Sequence, residues 1–110
     1  MMPVEIPIAD FASFTEEVTL ESVPYRLEFT WNDRNEFWAL TIKNRDLVTL
    51  IAGIKIVLSY PLLVIHPDRG LPPGELIAID TTGDAVTVNR TNLGDNVRLI
   101  YYTEDEFDAI

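Results

Sequence analysis

Between Tyr25 and Trp31 every second residue is large and apolar: Tyr25, Leu27, Phe29 and Trp31 alternate with Arg26, Glu28 and Thr30. A helix would scatter these four side chains around its axis, whereas an extended chain gathers them on one face. Asn32, Asp33, Arg34 and Asn35 follow, residue types that tolerate turn backbone and hydrogen-bond their own main chain. The chain then returns through residues 36–43, where Trp38, Leu40 and Ile42 form a second apolar face. Two half-buried strands joined by a turn are a hairpin, and its aromatic content suits cross-strand packing.

The same reading extends along the chain. Residues 14–20 form a strand closed by Glu21, Ser22 and Val23, and residues 5–8 form a shorter one that Pro7 consigns to an edge. The apolar, β-branched run 47–58 is two strands or one bent strand with Gly53 at the bend, and residues 62–65 continue the sheet after Pro61. Residues 66–74, rich in proline and glycine, make a long loop. Strands are expected at 75–80, 85–90 and 97–103, the first two joined by a hairpin turn at 81–84. No segment carries a sustained helical stripe. The expected fold is all-β, a small single-domain β-barrel or β-sandwich of mostly antiparallel strands covering residues 1–110, with an acidic C-terminal tail from about residue 104.

Most chemistries fail for want of residues. There is no cysteine, which removes thiolate catalysis, disulfides and Cys-ligated metal sites. The single histidine, His66, excludes two-His metal motifs, and neither Ser13, Ser22 nor Ser59 sits in a G-x-S-x-G elbow that could pair with it. The five glycines form no phosphate-binding loop, and the acids around Gly83 lack calcium-loop spacing. No catalytic, cofactor-binding or metal-ligating residue is assigned. The N-terminus lacks the basic and apolar regions of a signal peptide, and no apolar stretch is long enough to span a membrane.

Charge is the distinctive bulk property. Eighteen carboxylates against eight Lys and Arg give a net charge of −10, and residues 1–25 hold five acids and no base. A basic face for nucleic acid or for an anionic membrane cannot easily be assembled from such a chain. Solubility accounts for the charge, and so would docking on a basic protein surface. Trp31 and Trp38 read as core before they read as a ligand platform. Tyr101 and Tyr102 place one ring inward and one outward, the outward one being an interface candidate.

An ordered set of segments resembles a known family. It comprises Ile6-Pro7-Ile8, the Phe14…Val18…Leu20 strand, and Tyr25-Arg26-Leu27…Trp31-Asn32…Arg34…Trp38. The run 53–58, Pro61-Leu62-Leu63 and Asn92-Leu93-Gly94-Asp95…Val97-Arg98-Leu99…Tyr101 complete it. This set is similar to the small plug protein of contractile-tailed phage baseplates, of the cyanophage type. The resemblance implies a virion structural protein near the hub and spike, made in the host cytoplasm and present in several symmetry-related copies. It would contact other tail and baseplate proteins and have no enzymatic activity and no cofactor. The matching Tyr25, Arg26, Trp31, Asn32, Arg34 and Trp38, with Tyr101 and Tyr102, are candidate interface or hairpin-locking residues.

Two other readings stand beside this one. The net charge also suits an acidic phage-encoded inhibitor that mimics nucleic acid and blocks a host DNA-binding enzyme, although Arg and Lys are spread from Arg26 to Arg98. A sugar-binding β module would use Trp31 or Trp38 as its platform.

Overall fold

The computed structural model describes residues 4–63, 70–83 and 87–108, and His66 lies outside them. The elements in chain order are β1 (Val4–Glu5), β2 (Ser13–Leu20), β3 (Val23–Asn32), β4 (Phe37–Asn44), β5 (Thr49–Lys55), β6 (Glu75–Asp80), β7 (Val97–Tyr102) and α1 (Glu104–Asp108). They form two antiparallel sheets, one of order β2-β3-β4-β5 and one of order β1-β7-β6. The sheets do not close on one another, so of the two expected architectures the sandwich is the one formed.

The alternation at 25–31 sets the register of the larger sheet. Phe14, Phe29, Leu40 and Ile54 lie in one cross-strand row, and Leu27, Ile42 and Ile51 in the next. These side chains meet Leu76, Ala78, Val97, Leu99 and Tyr101 of the smaller sheet in a common core. A register slip of one residue would turn the whole apolar set outward, so the pattern specifies the pairing as well as the strands.

The two hairpins of the larger sheet are built differently. Leu20 pairs with Val23 across a two-residue turn in which Glu21 (φ 51°) and Ser22 (φ 70°) both adopt left-handed backbone. That is the type I′ geometry whose twist suits paired strands, formed here without the usual Asn-Gly. The β3–β4 turn spans residues 33–36, where the Asn32 side chain accepts the Asn35 N–H at 2.9 Å. Strand β5 bends where the sequence places Gly53: its pairing with β4 shifts register, and Gly53 has φ +73°.

Two expectations are corrected. Strand β6 does not form a hairpin with a strand at 85–90: it pairs with β7 along its whole length, and residues 87–90 are irregular. Asn89 and Asn92 explain the irregularity, because their side-chain oxygens accept backbone N–H groups of Thr91, Asn92 and Asn89 and so replace ladder bonds with turn bonds. Residues 62–63 do not extend a strand either. They lie beside β6, with Leu62 N–H donating to the Leu76 carbonyl and Leu63 N–H to the buried Glu75 carboxylate. Residues 64–65 and 84–86 lie outside the described residues. The acidic tail begins as the short helix α1. Thr103 and Glu106 form a reciprocal capping box at its start, the Thr103 N–H donating to Glu106 and the Glu106 N–H to the Thr103 hydroxyl.

Candidate functional site

Hairpin β3–β4 places its two tryptophans together beside its turn. Trp31 and Trp38 are directly paired, with ring centroids 5.5 Å apart in an edge-to-face arrangement. Trp38 is fully buried. Phe14 meets its edge at 5.8 Å, and its indole N–H donates to the Asn89 carbonyl at 2.9 Å. The guanidinium resting on Trp38 is that of Arg90, 5.6 Å from the ring centroid. Arg34 instead stands exposed in the turn. Trp31 is half-buried at the side of an open groove of about 500 Å³ lined also by Asp33, Glu36, Asn89, Arg90 and Thr91.

The two tyrosines at the end of β7 divide as the alternation requires. Tyr102 lies on the outer face of the smaller sheet, half-exposed opposite Glu75. Tyr101 points into the core, and its hydroxyl joins three parts of the chain. It accepts the Gly74 N–H at 2.7 Å and donates to Glu21 Oε2 at 2.5 Å, tying the β2–β3 turn of one sheet to the strand pair of the other. Burial first, and then the hydrogen bond to the Glu21 carboxylate, hold this phenol far above its ordinary range. Burial and the negative charge of Glu21 likewise push up the pKa of Tyr25, which is buried on β3.

Arg26 faces the opposite side of the larger sheet, in an ion pair of 2.6 Å with Glu17, and Lys43 pairs with Glu28 at 3.0 Å on the same face. Elsewhere Arg90 pairs with Asp10 at 3.3 Å and Arg98 with Glu5 at 3.0 Å. At these exposures each pair adds little to stability, about 1 kcal/mol or less. Their consequence is electrostatic, because they tie much of the scarce positive charge to internal partners.

The eight candidates therefore do not converge on one site. Trp31, Asn32, Arg34 and Trp38 share the hairpin end. Tyr25 and Tyr101 flank Glu21 on the inner face, while Arg26 and Tyr102 lie on opposite outer faces. Sequence reasoning missed Arg90, Glu21 and Glu75. The first gives no local signal, since its partners Asp10 and Trp38 are distant in the chain; Glu75 is detectable as a lone acid opening an apolar strand. Among the described residues no group of three or more His, Asp or Glu side chains is placed to hold a metal ion, and no helix is long and apolar enough to cross a membrane.

Residues 4–104 match the family model of the cyanophage baseplate Pam3 plug gp18. The chain belongs to this family. The matched span contains the seven strands of the described residues and ends at the first residue of α1, so the family pattern takes in both sheets. None of the curated proteins matches the chain.

Proposed function

We propose that this protein is a non-enzymatic structural component of a phage virion, a small plug of the contractile tail baseplate near the hub and spike. It acts by assembly with neighbouring baseplate proteins, in several symmetry-related copies, as a single β domain made in the host cytoplasm. The observation that carries this reading is the plug-family match across residues 4–104. The fold is consistent with such a part: a two-sheet core cross-tied by Tyr101, with residues such as Arg34 and Tyr102 presented on its surface. In this reading Tyr25, Trp38 and Tyr101 hold the sandwich, and Trp31, Arg34 and Tyr102 are available to neighbours.

The nucleic-acid mimic is supported less well. Such a mimic presents free carboxylates in rows, whereas Glu5, Asp10, Glu17 and Glu28 are each held by an internal cation. A sugar platform is left with Trp31 alone, since Trp38 is buried.

The test is quantitative mass spectrometry of purified virions and of tails separated from heads. The plug reading predicts the chain in the tail fraction at a fixed ratio to the other baseplate proteins. Recovery only from infected-cell lysate, bound to a host enzyme, would support the inhibitor.

A further inference from the structure

Among the described residues the two sheets have four edges, and three of them are blocked. Strand β1 has only two residues and is followed by Pro7. The free side of β6 is occupied by the chain after β5, through Ser59 N–H to the Ala78 carbonyl and Leu62 N–H to the Leu76 carbonyl. Strand β5 is bent by its register shifts and Gly53. Short edges, covered edges and bulged edges are the usual means by which a sheet avoids further pairing.

Strand β2 has none of these. Its eight residues pair with β3 in unbroken register, and they include neither proline nor a bulge. The Trp31 N–H donates to the Ala12 carbonyl, which fixes the phase of the ladder. In an antiparallel pair the bonded positions alternate, so Phe14, Glu16, Val18 and Leu20 bond to β3. The backbone groups of Ser13, Thr15, Glu17 and Thr19 then point outward, and among the described residues no backbone bond reaches them. Phe11, 65% exposed, stands at the head of this edge.

A second copy of the chain is the wrong occupant. The longest antiparallel register joining the outward groups of two copies pairs residues 13–19 with 19–13, and sets Glu16 opposite Glu16. Sliding by two residues shortens the ladder to five residues and sets either Glu17 opposite Glu17 or, in the other direction, each Glu16 opposite the apolar Phe14. Like charges directly opposed destabilise a strand pair. Glu16 lies on the inner face of β2, half-buried, and forms no ion pair among the described residues. Glu17 already holds Arg26.

We infer that the β2 edge receives an extended segment of a neighbouring protein by strand addition, with apolar residues opposite Phe14 and Val18 and a Lys or Arg opposite Glu16. Backbone bonds to residues 13, 15, 17 and 19 supply the affinity, and the cation at Glu16 supplies the register. That the donor is a baseplate protein rests on the proposed function; the edge and its charge preference do not.

The experiment is amide NMR and hydrogen exchange on the full chain, with the probe peptide Thr-Val-Thr-Lys-Thr-Val-Thr and a control carrying Glu in place of Lys. At saturation the amides of Ser13, Thr15, Glu17 and Thr19 should shift and exchange about tenfold or more slowly. The Glu peptide should bind about tenfold more weakly. Thr15→Pro removes an outward N–H that makes no bond to β3, so it should abolish binding with the rest of the spectrum unchanged. Glu16→Lys, which leaves the backbone intact, should reverse the preference between the peptides. Equal binding of the two peptides, shifts confined to other strands, or no shift at all would overturn the inference. So would concentration-dependent shifts of the same amides without peptide, which would identify a second copy as the occupant. Virion mass spectrometry tests the baseplate reading separately, so the failure of one is not the failure of the other.

Discussion

Replacing Tyr101 with phenylalanine removes one oxygen atom and, with it, the hydrogen bonds that join the Gly74 N–H and the Glu21 carboxylate to the core side of β7. The ring itself still fills its place, so little apolar contact is lost. The Gly74 N–H is buried and would have no replacement partner, which costs about 1–3 kcal/mol. Glu21 is exposed and recovers water, so its lost bond contributes only a fraction of the usual value for a charged acceptor. The sum is about 2 kcal/mol, or a fall in melting temperature of about 10 °C for a domain of this size. Urea denaturation should show a lower midpoint at unchanged slope. The pH dependence adds a second readout. Above pH 10, the ordinary phenol value, the unfolded chain releases the Tyr101 proton while the folded chain keeps it. The unfolded state then binds fewer protons, so stability falls as pH rises. The variant should lose most of that alkaline slope, keeping the part due to Tyr25. A destabilisation below about 0.5 kcal/mol, with the slope unchanged, would refute the claim that this hydroxyl ties the sheets together.

Other consequences can be checked on the same samples. Ser22→Gly relieves left-handed backbone at φ 70° and should stabilise by about 0.5–1 kcal/mol, whereas Glu21→Gly gains similar relief but loses the carboxylate that Tyr101 holds, and should give no net gain. Gly74→Ala would drive its methyl group into the Tyr102 carbonyl and the Tyr101 ring; it should destabilise far more than an alanine at the exposed Ser13, as thermal unfolding of the two will show. Acrylamide should quench the Trp38→Phe variant, which retains only half-buried Trp31, more strongly than Trp31→Phe, which retains only the buried Trp38; equal quenching would contradict the packing of the hairpin end.

The larger sheet was legible because its signal is local. Alternation at 25–31 and 38–42 sets the strands, the faces and the register, and Gly53 marks the bend in β5. The smaller sheet was only partly so. Its pairing depends on β6 finding β7 rather than the segment that directly follows it, and nothing in the sequence near Asp80 marks that choice. The Asn89 and Asn92 turn bonds that prevent a strand there require both side chains to fold back on their own backbone, a choice that composition alone does not reveal. The α1 start could have been read, since Thr103 and Glu106 have capping-box spacing. The family was legible from the order of weak segments rather than from any one of them, because each is a strand or turn common to many β proteins. The long-range contacts at the hairpin end were not. Arg34 was adjacent to the tryptophans in sequence, while Arg90 is the guanidinium that lies on Trp38.

If this sandwich is built into a baseplate, electron cryo-microscopy of intact tails from the phage that encodes it will reveal it there. The map should show a sheet of order β2-β3-β4-β5 packed on a sheet of order β1-β7-β6, repeated about the tail axis beside the hub and spike. A complete baseplate map with every density assigned to other chains would contradict that placement.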